Sequence, residues 1–350
     1  MTTKPMYSSS QPEPVHTAAQ IMLRTGRAHD RAGRMEDAIA GYEEAIRLAE
    51  TSGGADRPIL VEALRRLGVV HHWRNQIDEA RILCRRSLKE AVLLRDPVLA
   101  GEALNALAGF DTETGDLAAA RALYRNALGL AEESPGLRGR IEQNLGVLAS
   151  IQGDYDDAFQ HYHRSLDAFQ QAGDESGARI SYHNLGLIGA RRGKLDEAER
   201  CFSASAARAA RGGEVYLEGV CELSRAEVAH RRQEYSVALQ RAESALEIFE
   251  RIGTRLGQSA AYRVIGMVLR DSGRAALAED RLSTALAIAQ ETGSLLDRAE
   301  AARELARLYQ GTGQRQEAAS LLYVAAGLFQ RLEARIDLEE VGRQMAELAA

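Results

Sequence analysis

Apolar positions along this chain recur at spacings of three and four, and the phase of the stripe resets at short polar turns. After Gly193 the stripe is Leu195, Ala198, Phe202 and Ala206; after Gly153 it is Tyr155, Ala158, Tyr162 and Leu166. Each stripe predicts a helix with one buried face. Acidic pairs such as Asp156-Asp157 and Asp196-Glu197 fall where the first turn of such a helix begins, and the dipole there favours negative charge.

The stripes repeat. The alanine at 198 recurs as Ala38, Ala80, Ala120, Ala158, Ala238, Ala278 and Ala318, in steps of 38 to 42 residues. Twelve residues before each stands a small residue: Gly26, Gly68, Ala108, Gly146, Gly186, Ala226, Gly266 and Ala306. Five residues before each alanine the chain has Gly33, Gly115, Gly153, Gly193, Gly273 and Gly313, with Asn75 and Gln233 filling the other two copies. The glycine column predicts the end of one helix, where a left-handed backbone is needed. The two small columns let the next helix lie close against the first. Each unit is therefore an antiparallel helix pair, and stacking of neighbours buries the face that a lone pair leaves open.

These residues resemble the tetratricopeptide repeat family, whose unit has a Leu-Gly pair, a turn glycine, an alanine, an aromatic four residues on and a second small residue. Leu145-Gly146, Gly153, Ala158, Tyr162 and Ser165 match, as do Leu185-Gly186, Gly193, Ala198, Phe202 and Ser205. The family's closing proline is absent and the period is near 40 residues, similar to the longer repeats of kinesin light chains and of bacterial signalling and regulatory proteins. The expected fold is all-α: a right-handed α-solenoid of eight antiparallel pairs. Residues 1–16 read as a disordered leader. The solenoid spans 17–334, in repeats of about 17–57, 58–98, 99–135, 136–174, 175–214, 215–254, 255–294 and 295–334. Residues 335–350 read as an amphipathic cap helix that lacks the three columns.

Composition narrows the function classes. Of 350 residues 45% are apolar but only 5% aromatic, which suits close-packed Ala- and Leu-rich helices. The formal charge of -6 does not favour nucleic acid or an anionic membrane. Lysine occurs only at Lys4, Lys89 and Lys194, so arginine supplies nearly all the positive charge, a usage that suggests a GC-rich bacterial genome. Cys84, Cys201 and Cys221 form no CxxC pair and are expected to be inert thiols in a reducing cytoplasm. No apolar run approaches the roughly 20 residues that cross a bilayer.

The resemblance implies that the first helix of each pair lines a concave groove that binds peptides or proteins. Asn144 and Asn184, two residues before the small column, would then hydrogen-bond a ligand backbone; the alternative is a bond within the solenoid. Arg191, Arg231, Arg263, Arg270, Arg303 and Arg307, with His230, fall at groove positions, among the acids Glu227, Asp271 and Glu300. They could grip an acidic segment or a C-terminal carboxylate, or pair with acids on adjacent helices. Trp73 and His72 also fall in the groove, where Trp73 could anchor a partner or fill a gap between helices. The free ends of a solenoid also leave room for a homodimer.

Catalytic and metal readings find little support. No two histidines have the spacing of three or four residues that puts both on one helix face, and HExxH and GxSxG are absent. GLIGARRGKL lacks phosphate-loop spacing, and no Ser or Thr follows Lys194. The expectation is a non-enzymatic adaptor without cofactor, or a solenoid that senses a ligand and controls a separate effector.

Overall fold

The computed structural model describes residues 17–32, 34–74, 76–332 and 334–349. The expected leader, residues 1–16, lies outside them, as do Gly33 and Asn75 of the turn column. The chain divides into two compact units, Met1–Gln152 and Gly153–Ala350. Every regular element among the described residues is an α-helix.

The first unit holds α1 (Ala18–Arg31), α2 (Met35–Thr51), α3 (Arg57–Trp73), α4 (Ile77–Leu94), α5 (Pro97–Glu113), α6 (Leu117–Gly129) and α7 (Pro135–Ile151). Consecutive helices pack as pairs, and α1, α3, α5 and α7 also touch in series. The second unit holds α8 (Tyr155–Ala172), α9 (Glu175–Arg191), α10 (Leu195–Gly212), α11 (Val215–Arg231), α12 (Tyr235–Arg251), α13 (Arg255–Asp271), α14 (Ala275–Thr292), α15 (Leu295–Gly311), α16 (Arg315–Arg331) and α17 (Arg335–Ala349). Here α9, α11, α13 and α15 form the continuous inner row. In each unit the first helices of the pairs therefore make one face and the second helices the other.

The columns explain why. All eight alanines of the repeat are fully buried. A Cβ placed on Gly186 would lie 2.5 Å from Phe202 Cε1, and one on Gly26 2.7 Å from Tyr42 Cδ1. The small position is thus a socket for the aromatic of the second helix, and a larger side chain would force the two axes apart. Gly115, Gly153, Gly193, Gly273 and Gly313 all have φ between 75° and 83°, and Gln233 takes the same left-handed backbone at φ 63°. A second glycine series, Gly173, Gly213, Gly253 and Gly293, turns the chain between one pair and the next at φ of 66° to 72°.

The last helix, α17, buries one face against the stack. In α17 Val341 is fully buried, as Leu305 nearly is in α15, and Gly342 follows it as Ala306 follows Leu305.

Candidate functional site on the first-helix faces

In the first unit Asn144 is tied within the stack: its amide nitrogen donates to Asn105 Oδ1 at 3.0 Å, from α7 to α5. Neighbouring ion pairs run the same way. Glu102 of α5 binds Arg65 of α3 at 2.5 Å and Arg140 of α7 at 2.6 Å. His72 is buried at the end of α3, where it stacks on Phe110 at 4.2 Å and its Nε2 meets Glu113 Oε2 at 2.6 Å. Trp73 does not fill a gap between helices. It is 58% exposed and makes no ring contact among the described residues, so it is open to a partner.

In the second unit most of the singled-out arginines are engaged. Arg263 of α13 reaches Glu300 of α15 at 3.1 Å and Glu227 of α11 at 3.6 Å. Arg270 pairs with Asp271 and with Glu304 of α15, both at 2.7 Å, and His230 Nε2 meets Asp271 Oδ2 at 2.7 Å. Arg303 binds Asp337 of α17 at 2.6 Å, and Arg307 binds Glu304 at 3.2 Å and Glu340 of α17 at 2.8 Å. Glu304 is the hub. Its carboxylate is 1% exposed, and burial alone would raise its pKa; Arg307, Arg270 and Arg303 outweigh that and hold it below the ordinary carboxylate value. Burial likewise disfavours the Arg263 charge, but Glu300 and Glu227 restore it. This ladder stitches α11, α13, α15 and α17 together; acids of the chain meet the charge of each arginine in it, while Arg263 Nε and Arg303 Nε are buried with no hydrogen-bond partner among the described residues.

The face of α9 differs. Ile180, Asn184, Leu187 and Arg191 are spaced four, three and four residues apart, so they form one stripe on a helix of 3.6 residues per turn. Ile180 is 36% and Leu187 42% exposed, and Arg191 is exposed. Among the described residues Asn184 has no side-chain hydrogen bond and Arg191 no ion pair. Beside Arg191, the exposed Arg231 of α11 donates to the Ala190 carbonyl at 2.9 Å, and Lys194 is exposed at the adjoining turn. The stripe therefore presents two apolar side chains, one amide that can donate and accept, and a basic end.

Sequence reasoning named Asn184, Arg191 and Arg231 but passed over Ile180 and Leu187. The signal for those two was their four-residue and three-residue offset from Asn184. It also passed over Glu304, Asp337 and Glu340. Acids 33 to 34 residues beyond an arginine fall on the next first helix, which would have flagged them.

His183, next to Asn184, points inward. Burial pushes its imidazole pKa down to about 4, and its Nδ1 lies 3.9 Å from Cys221 Sγ. Burial also raises the thiols of Cys84 to about 12 and of Cys201 to about 11, which makes them poor nucleophiles. Among the described residues no group of three His, Cys, Asp or Glu side chains could hold a metal ion. No helix among them is long and apolar enough to cross a membrane.

The tetratricopeptide repeat model matches residues 17–89, 99–171, 137–211 and 257–331, well over half of the chain. The chain belongs to the tetratricopeptide repeat family. Its repeats are of the kinesin-light-chain-like kind. Protein KINESIN LIGHT CHAIN-RELATED 1 of Arabidopsis thaliana is 24% identical over 208 residues, 56% of this chain and 33% of that protein. The chain thus spans about a third of that relative's length. Among solved tetratricopeptide structures, a STAND signal-transduction ATPase with a repeat sensor from Pyrococcus horikoshii superposes with a TM-score of 0.68 at 15% identity, over 94% of this chain and 50% of that one. The Rap protein complexed with Competence and Sporulation Factor superposes at 0.61 and 13% identity, over 95% of this chain and 97% of that one. BtubC (BKLC) from P. vanneervenii superposes at 0.54 and 22% identity, over 68% and 94%. These likenesses establish the fold, which is one that fits a protein-binding adaptor.

Proposed function

We propose that this chain is a non-catalytic adaptor that holds an extended protein segment against the first-helix face of its second unit. The observation that carries the reading is the α9 stripe. Among the described residues Asn184 has no side-chain hydrogen bond and Arg191 no ion pair, and exposed Ile180 and Leu187 flank Asn184. An amide that both donates and accepts suits a peptide unit. The apolar pair supplies contact area, and Arg191 with Lys194 and Arg231 suits an acidic residue or a carboxyl end.

Arg263, Arg270, Arg303 and Arg307 take a different part in this reading. Their charges are met by Glu227, Glu300, Asp271, Glu304, Asp337 and Glu340, so they hold the helices that flank the site in register. In the first unit, Trp73 offers a separate aromatic contact on α3, above the internal His72–Glu113 pair.

The test is affinity capture from native extract with the wild type beside an Asn184→Ala/Arg191→Glu variant, each confirmed folded by circular dichroism. A binder retained by the wild type and lost from the variant supports the adaptor. An identical set of binders on both contradicts it.

A sensor reading draws on the ladder from His230 to Glu340. Ion pairs that bridge four helices are geometric links that a ligand could exchange for its own. The Rap relative was solved with Competence and Sporulation Factor, and the Pyrococcus relative carries a repeat sensor. A sensor would compact in small-angle scattering when its ligand binds; a passive adaptor would not.

A further inference from the structure

In the first unit the outward face of α4 differs from those of the other second helices. Ala80, Cys84, Ser87 and Ala91 are fully buried on its inner side. On the opposite side Ile82, Arg85, Lys89 and Leu93 are spaced three, four and four residues apart, so they form one stripe, with Val92 beside Leu93. Ile82 is 64%, Val92 61% and Leu93 58% exposed. Val92 and Leu93 stand twelve and thirteen residues after the repeat alanine. In each of the other seven copies that pair includes a charged or amide side chain, as in Glu132-Glu133 and Glu250-Arg251. A pair so exposed adds little to the stack, and stacking does not account for it.

The charges identify the occupant. Arg85 and Lys89 are exposed and form no ion pair among the described residues. The other arginines of α4 that meet acids do so beside the stripe: Arg81 pairs with Asp111 of α5 and Arg86 with Glu50 of α2. The stripe is thus apolar at both ends and carries two unmatched positive charges, one turn apart, in its middle. Its steps along the axis are about 4.5 and 6 Å, the steps between residues three and four apart on another helix. A strand advances about 6.7 Å per same-face residue and falls out of step. The stripe is also one helix wide. Where α4 has Arg85 and Arg86, α2 has Glu43 and Glu44, and α6 has Arg125 and Asn126. An anionic bilayer laid flat on this side would meet the glutamates as well, so the pattern favours a narrow acidic partner over a membrane. At the positions that match Ile82 and Lys89, α6 has exposed Ala122 and Gly129, and a Cβ added to Gly129 would meet nothing within 4 Å. The ground beside α4 is therefore low enough for the body of a second helix.

We propose that α4 is a docking ridge for an acidic amphipathic helix of a partner protein. Two acids four residues apart on that helix pair with Arg85 and Lys89, and apolar residues one turn beyond them on either side pack on Ile82 and on Val92 with Leu93. The stripe is about 16 Å long, so the partner contributes a helix of at least about 12 residues. So small a contact falls at the low end for specific interfaces, and the affinity is expected to be micromolar. The site lies wholly in the first unit and does not depend on what α9 binds.

The test selects peptides of about 18 residues, drawn from a displayed library of helix-favouring sequences, on the full chain. The selected peptides are titrated by fluorescence anisotropy against the wild type, Arg85→Glu/Lys89→Glu, Val92→Ser/Leu93→Ser and Asn184→Ala/Arg191→Glu. The substituted α4 positions are all exposed, so both α4 variants are expected to fold, and circular dichroism checks this. The expected result is a class of peptides with two acids four residues apart between apolar residues. Both α4 variants bind that class at least about tenfold more weakly, and the α9 variant binds it normally. Exchanging its acids for lysines should move its binding from the wild type to Arg85→Glu/Lys89→Glu. The proposal is overturned if no selected class weakens in the α4 variants, if the class that does lacks the acidic pair, or if the lysine exchange fails to transfer binding. Co-sedimentation with phosphatidylserine–phosphatidylcholine vesicles tests the membrane alternative: wild-type binding that the α4 variants lose would also overturn the helix reading, and no such binding supports it.

Discussion

Glu304 of α15, 1% exposed, accepts from Arg270 of α13 at 2.7 Å, and Arg307 of its own helix reaches the same carboxylate at 3.2 Å. A buried carboxylate survives there only because guanidinium groups surround it.

Removing that carboxylate leaves the arginines facing one another. Glu304→Ala is therefore expected to cost about 3–5 kcal/mol of stability. The pH dependence follows from the direction of the shift. Glu304 is held below the ordinary carboxylate value of 4.5, so the unfolded chain takes up its proton first on acidification. The contribution is present above about pH 4.5 and is lost as the pH falls through the lower folded value. Denaturant melts at a series of pH values should show this slope in the wild type and a shallower one in Glu304→Gln.

His183 gives a second acid dependence in a different window. Its folded pKa of about 4 lies below the ordinary 6.5 because of burial. As pH falls below 6.5 the unfolded chain protonates while the folded one does not, so stability declines between about 6.5 and 4. Titration of the histidine ring resonances should leave His183 neutral at pH 5.5; a midpoint near 6.5 would contradict this burial.

The socket at Gly186 has a sign test. Alanine is ordinarily better than glycine inside a helix, by up to about 1 kcal/mol. Gly186→Ala should nonetheless destabilise, by about 1–3 kcal/mol, because the new methyl meets the Phe202 ring. Gly327→Ala in α16, where a Cβ meets nothing within 4 Å, should stabilise instead. Urea unfolding of both variants checks the pair.

Gln233 holds a backbone that its column elsewhere gives to glycine. Its φ of 63° costs a residue with a Cβ about 1 kcal/mol. Gln233→Gly is expected to raise stability by about that amount, and a loss would show that the side chain compensates.

The fold was legible because stacking imposes it residue by residue. The burial of Ala198 against the first helix and the left-handed turn at Gly193 each permit few residue types, so the columns are visible in one chain. The second glycine series at Gly173, Gly213, Gly253 and Gly293 has the same 40-residue step and a left-handed backbone, but it marks turns between pairs and not within one. The candidate site was less legible. An arginine at a groove position looks the same in sequence whether it lacks an ion pair among the described residues, as Arg191 does, or is paired, as Arg270 is with Glu304. The partner lies 34 residues away, and only the stacking register brings it within reach. The same ambiguity separates Asn144, bonded to Asn105, from Asn184, which has no such bond.

That difference between the two asparagines leads to the most direct test of the adaptor reading. Peptides selected from a random display library on the wild type would be labelled and titrated against wild type, Asn184→Ala, Arg191→Glu and Asn144→Ala by fluorescence anisotropy, with stability followed by urea unfolding. The expected result is at least about tenfold weaker binding for Asn184→Ala and Arg191→Glu at nearly unchanged stability. Asn144→Ala should bind normally and lose about 1 kcal/mol of stability. Unchanged affinity in both α9 variants would contradict the account, because no ligand would then depend on the stripe that the fold leaves unpaired.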